Sequence, residues 1–174
     1  MKWLLILILS LSLSCGSKFN PDSNKQKTAI DKNFHLVIEY AQSNKVDVTK
    51  GVYTVFLVDR PPLNIKFLLS ASERKQIIDK YYSLSIDELN DIDEMTGTVY
   101  IEDKCMIMPK TYTYVTVRRD SLTQKIQIYE ECDDYSFNMS NKAKRVKAFL
   151  QYVDKIIQSK SEVKNAPRSN IMYI

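Results

Sequence analysis

The chain reads as an α+β domain: an antiparallel sheet of five or six strands packed with two helices. Three observations predict it. Six short stretches alternate in polarity or run apolar for six to ten residues, as strands do. Residues 141–159 carry one apolar stripe at helical spacing. A second helical stretch, after Ser70, opens on a capping motif.

Phe34, Leu36, Ile38 and Tyr40 alternate and mark a first strand, with a short helix as the alternative. Gly51 opens a second run, Val52 to Val58, apolar on both parities as in a central strand. Asp59-Arg60-Pro61-Pro62 reads as a turn or break, and Leu63 to Leu69 as a third strand. In Ser70-Ala71-Ser72-Glu73, Ser70 can accept from the amide of Glu73 while Glu73 reaches back. The helix that follows places Ile77, Ile78, Tyr81 and Tyr82 on one face. Ser85 to Glu94 is acidic and reads as a short helix plus loop.

Thr98 to Lys104, Tyr112 to Arg119 and Leu122 to Glu131 read as three further strands, with Asp120-Ser121 a tight turn between the last two. In the helix from Asn141 to Ser159, Val146, Phe149, Leu150, Val153, Ile156 and Ile157 form the apolar stripe. Lys142, Lys144, Arg145 and Lys147 are expected on its wet side. The domain is thus expected over 34–160, with 161–174 a polar C-terminal tail whose apolar end either pairs as an edge strand or stays loose.

The N-terminus carries a different message. Trp3 to Leu13 is almost wholly apolar, follows Lys2, and at eleven residues is shorter than the roughly 20 needed to span a bilayer. It fits the apolar core of a secretory signal peptide over 1–14. Small residues follow up to Cys15, then Gly16 and Ser17. The stretch resembles the lipobox of bacterial lipoproteins, in which a small residue precedes an acylated cysteine. That resemblance implies that Cys15 is lipidated and becomes the mature N-terminus. Ser12 and Ser14 also suit an ordinary small-x-small cleavage site. A diacylglyceryl group with an N-acyl chain anchors stably without a transmembrane helix, since each buried methylene is worth about 0.8 kcal/mol.

Residues 15–33 then read as the lipidated cysteine and a flexible tether. The segment is polar, carries Pro21 and lacks periodicity. Its root-mean-square span is about 23 Å. No acidic residue follows Cys15 directly, which favours a periplasm-facing location, on the cell membrane or outer membrane, over surface export. If Cys15 carries lipid, Cys105 and Cys132 remain, and an even pair in an oxidising compartment points to a disulfide. Parity agrees: Cys105 follows Val99 and Ile101, and Cys132 follows Ile126 and Ile128. Two free thiols are the alternative.

Net charge is +4, and +3 once Lys2 is removed, too weak to imply nucleic acid as a partner. His35 is the single histidine and has no motif around it, so it reads as a surface residue, and no multi-histidine metal site can form. The clusters Asp91/Asp93/Glu94 and Glu130-Glu131/Asp133-Asp134 lack the glycine-punctuated loop of a calcium site and read as solvated charge. Three glycines leave no Gly-rich phosphate loop, and no cofactor is expected.

Eleven tyrosines are the unusual part of the composition. Tyr100, Tyr112, Tyr114 and Tyr129 fall on the parity opposite the core, with Arg118, Lys125 and Glu131. If no helix covers that face, it is a contact platform; a covered or merely wet face is the alternative. The expectation is a non-catalytic, membrane-tethered envelope module that binds a protein or a glycan. An envelope-polymer enzyme using acidic residues and a toxin-inhibiting immunity protein are the other readings.

Overall fold

The computed structural model describes residues 33–41, 43–90, 92–101, 111–129 and 140–171. The signal segment, Cys15 and the tether up to residue 32, Cys105, Cys132 and Glu130 to Asp134 lie outside the described residues.

Seven strands form one sheet: β1 (His35–Tyr40), β2 (Asn44–Asp47), β3 (Val52–Leu57), β4 (Arg60–Lys66), β5 (Thr98–Ile101), β6 (Tyr112–Arg119) and β7 (Leu122–Tyr129). Their order is β4-β3-β2-β1-β6-β7-β5. The helices are α1 (Ala71–Ser83), α2 (Asn141–Gln158) and the short α3 (Ser161–Lys164), with a 3-10 turn at Ile86–Glu88.

The α+β class holds, with one more strand than the upper expectation and a mixed sheet. The added strand is β2, whose four residues Asn-Lys-Val-Asp include a single apolar one, so no periodicity betrays it. Every neighbouring pair is antiparallel except β5 and β7, which run parallel. β6 lies between the two in sequence, so no hairpin joins them, and a parallel pair cannot be joined by one.

β4 also begins earlier than its prolines allow one to expect. Pro61 and Pro62 lie inside it. A proline cannot donate to a ladder, so it is tolerated where one side of the strand has no neighbour. β4 is an edge strand, paired only to β3. The β6–β7 hairpin turns on Asp120-Ser121 as the sequence predicts, with Arg119 opposite Leu122 and Asp120 at φ 50°.

Alternation builds the core. Leu36 and Ile38, Val46, Val115 and Val117, Ile126 and Ile128, and Val99 and Ile101 all point to one face. Both long helices pack there. α1 contributes Ile77, Ile78 and Tyr81, while α2 contributes Ala143, Val146, Phe149, Leu150, Val153 and Ile157. Ile156 is only partly buried. Of the basic residues at the start of α2, Lys144 is exposed, while Lys142, Arg145 and Lys147 are half-buried rather than wholly wet.

Tyr81 stands at the centre, fully buried, edge-on to Phe34, Tyr82 and Phe149 at centroid distances of 5.3, 5.2 and 5.7 Å. Its hydroxyl donates to Gln124 Oε1 at 2.6 Å. Gln124 Nε2 in turn donates to the carbonyl of Ile86 at 2.9 Å, tying the 3-10 turn to β7. Burial pushes the Tyr81 hydroxyl well above the usual tyrosine range.

The capping box at α1 forms as read. Glu73 N donates to Ser70 Oγ at 3.2 Å, and Ser70 N donates to Glu73 Oε2 at 2.8 Å. Lys160 adds a 2.7 Å contact to each Glu73 oxygen. The Lys160 hydrogen bond and then those from Ser70 hold the Glu73 carboxyl down at about 2.

The segment read as a tail is docked over 161–171. Val163 is buried, Ser169 Oγ donates to the Phe56 carbonyl at 2.7 Å, and Val58 N donates to Asn170 Oδ1 at 2.9 Å. No described helix is long and apolar enough to cross a membrane.

Gly51 closes the β2–β3 turn at φ 63°, and a Cβ there would lie 2.2 Å from the Phe67 carbonyl oxygen. Phe67 N donates to the Gly51 carbonyl at 2.9 Å, which fixes the approach. Gly97 has φ 64° but nothing within 4 Å of a Cβ. Both G51A and G97A should therefore lose about 1–3 kcal/mol from backbone conformation. G51A should lose clearly more, read by urea unfolding; equal losses would show that the contact with Phe67 is immaterial.

Candidate ligand-binding face

Two-residue periodicity sends every second strand residue away from the core, and no described helix packs on the face so formed. Register then arranges its side chains in rows. One row crosses all seven strands as Asn64, Thr54, Lys45, Glu39, Tyr114, Gln127 and Tyr100. Every member is polar or phenolic. At about 4.8 Å per strand the row is about 29 Å long. Thr54 Oγ1 donates to Asn64 Oδ1 at 2.7 Å, and Lys45 Nζ lies 3.4 Å from Glu39. Gln127 sits between Tyr114 and Tyr100, whose rings are 43% and 42% exposed.

A second row, Lys66, Val52, Asp47, Val37, Thr116, Lys125 and Thr98, runs beside it. A third, shorter row places His35 opposite Arg118 and Arg118 opposite Thr123. Around these last two rows the surface dips into an open concavity of about 650 Å³, lined by Asn33, His35, Val37, Lys45, Asp47, Lys50, Thr116, Arg118 and Asp120.

The residues singled out in the sequence divide on this face. Tyr100, Tyr114 and Arg118 are exposed on it, and Tyr100 and Tyr114 share a row. Tyr112 is half-buried, and Tyr129 is 2% exposed with its ring 5.7 Å from that of Tyr112. Those two form a closed pair at the end of the β6–β7 ladder, apart from the open row. Arg119, the neighbour of Arg118, points to the opposite face, where its guanidinium lies 5.5 Å from the Tyr81 ring centroid and 3.8 Å from Asp87.

Sequence reasoning read His35 only as a surface residue and passed over Lys45, Asp47, Lys50 and Gln127. The parity of His35 and Gln127 was readable from their core neighbours. Lys45 and Asp47 belong to the strand that periodicity does not reveal, and Lys50 belongs to the turn after it.

Three of the described acidic residues are engaged close by. Asp47 Oδ1 accepts from Lys50 N at 2.8 Å, with Lys50 Nζ 3.5 Å from Oδ2. Asp120 Oδ1 accepts from Asn33 Nδ2 at 2.6 Å. Asp93 closes its own turn, accepting from Thr96 N at 2.8 Å and Met95 N at 3.1 Å, and the Thr96 bonds lower its pKa. Among the described residues no group of three or more His, Cys, Asp or Glu side chains is placed to hold a metal ion.

A smaller cavity of about 160 Å³ lies between α2 and the sheet, lined by Tyr40, Thr113, Ile128, Tyr129, Lys147, Leu150, Gln151 and Asp154. Tyr40 donates a short hydrogen bond to Asp154. Burial raises the Asp154 carboxyl above its usual range, and the Tyr40 bond opposes this only in part.

No family model matches the chain, and neither a curated protein nor a solved structure matches it. The case for a site therefore stands on the geometry.

Asp154 supplies a check on that geometry. A raised native pKa means that the folded state binds the proton more tightly than the unfolded chain. The stabilisation is full below the ordinary carboxylate range and is lost as pH rises through the raised value. D154N should therefore unfold at higher urea than the native chain at pH 7 and lose that advantage towards pH 4. An advantage independent of pH would show that Asp154 is not desolvated.

Proposed function

We propose that this chain is an envelope lipoprotein, tethered to the membrane by lipid on Cys15, whose open sheet face binds a glycan without catalysis. The observation that carries the recognition role is the seven-residue row from Asn64 to Tyr100. It sets amide, hydroxyl, ammonium and carboxylate groups in line and ends in two exposed tyrosines around Gln127.

That composition suits a sugar chain. Saccharides present dense hydroxyls, which side-chain amides and carboxylates can bond, and C–H faces against which tyrosine rings pack at low entropy cost. A protein partner calls for an apolar centre in the contact surface. The aliphatic residues in these three rows are Val37 and Val52, both partly buried. The length of the row favours a polymer over a small solute.

The non-catalytic reading is supported by the way Glu39, Asp47 and Asp120 are each held by Lys45, Lys50 or Asn33. General acid–base work on a glycan needs a pair of carboxylates flanking a bond, one of them with a raised pKa. Asp154 has a raised pKa but lies on the helix side of the sheet, bonded to Tyr40.

The anchor and the bridge are part of the same proposal and rest on the sequence. Mass spectrometry of protein extracted from membranes should show an acylated Cys15 as the mature N-terminus and a Cys105–Cys132 linkage on non-reduced peptides. An unmodified N-terminus removes the anchor, and free thiols at both positions remove the bridge.

Recognition is tested by changing Tyr100 and Tyr114 together to Ser. Both rings are exposed, so the melting temperature should stay within about 2 °C while retention on cell-wall polysaccharide falls at least about tenfold. Unchanged retention, or retention of a protein partner alone, would overturn the glycan reading.

A further inference from the structure

We infer that the concavity between His35 and Arg118 is an anion subsite, and that the ligand of the open face carries a carboxylate or phosphate group. The glycan-borne source of that group rests on the reading of the face as a glycan surface; the subsite itself does not.

The concavity holds three cationic side chains, Lys45, Lys50 and Arg118, against two carboxylates, Asp47 and Asp120. Pairing singles out one of the three cations. Lys45 is engaged with Glu39 and Lys50 with Asp47, while Asp120 accepts from the Asn33 amide. Arg118 is exposed and has no ion pair among the described residues. The one cation of the dip outside these ion pairs is therefore the Arg118 guanidinium, and the Asp120 carboxylate is the one anion, held by the Asn33 amide.

Its setting fits an oxyanion. The guanidinium fork matches the two oxygens of a carboxylate or phosphate, where an ammonium would act only as a point charge. His35 is its direct cross-strand partner on β1, so their Cβ atoms are about 5 Å apart and the imidazole can donate to the same group. Thr116 lies two residues back on β6, on the same face, and adds a hydroxyl.

The dip also adjoins the long polar row. Lys45 belongs to both, and Thr116 follows Tyr114 on the same face of β6. A sugar chain lying along Tyr114 and Tyr100 could place a charged substituent against Arg118 without leaving the sheet. The flat row would then supply contact area and the dip would select acidic polymers over neutral ones.

The test uses the full chain in detergent and three probes: an oligosaccharide of uronic acid units, its carboxyl-reduced counterpart, and inorganic phosphate. Arg118→Gln and, separately, His35→Gln remove the subsite from exposed positions, with melting temperature as the folding control. The acidic oligosaccharide should bind at least tenfold more tightly than the reduced one. R118Q should erase that difference and leave binding of the reduced sugar intact, and H35Q should narrow it. Phosphate should shift the Arg118 Nε–H and His35 ring resonances saturably in the native chain and not in R118Q.

Equal binding of both sugars, or a preference that survives R118Q, would overturn the acidic-glycan assignment while leaving the glycan surface standing. If neither sugar binds, the glycan surface falls, and the phosphate titration decides the subsite: an Arg118-dependent shift sustains it and no shift ends it. Vesicles with anionic phospholipid form the last arm. Arg118-dependent retention on them, with no sugar binding, would assign the anion to a lipid headgroup and overturn its assignment to a glycan.

Discussion

The hydroxyl of Tyr81 is the point on which the arrangement turns. Its ring fills the space between α1, α2 and the sheet, and such a buried ring is stable only if its oxygen has a partner. Gln124 supplies one and passes its own amide on to the Ile86 carbonyl. Arg119 covers the Tyr81 ring and reaches Asp87. This one chain of contacts fixes α1 on the sheet, the 3-10 turn beside α1, and the β6–β7 hairpin beneath both. Without it the helices would have an apolar face but no unique seat.

The same constraint sets up the opposite face. Arg119 and Gln124 are held inward, so their neighbours Arg118 and Lys125 must point outward. The open face and the core are thus separated by one residue along each strand. Arg118 and Arg119 have identical chemistry; alternation alone makes one a structural clamp and the other an exposed cation.

Much of this was legible in the sequence where the signal is local. The capping box at Ser70, the stripe on α2 and the turn at Asp120 depend on a few neighbouring residues, and each takes the expected form. The outward parity of Tyr114 and Arg118 followed from their apolar neighbours. What was not legible is what depends on distant partners. β2 exists because β1 and β3 flank it, not because Asn44–Asp47 favours a strand. The parallel seat of β5 beside β7 and the burial of Tyr129 reflect pairings across the chain. The dip around Arg118 needed register: His35 is 83 residues from Arg118 in sequence and opposite it in the sheet.

Pro61 and Pro62 in the outermost strand have a consequence for the chain's behaviour in company. An unpaired strand edge is a template for self-association. N–H groups alternate between the two edges of a strand, so one of these consecutive prolines removes a donor from the free edge and interrupts the row that an incoming strand would pair with. On the opposite side β5 offers four described residues, and Ile92 already bridges Val99 there. Among the described residues, one flank of the sheet is thus interrupted by a position without a donor, and the other is met by Ile92, which makes both poorer templates for a second sheet.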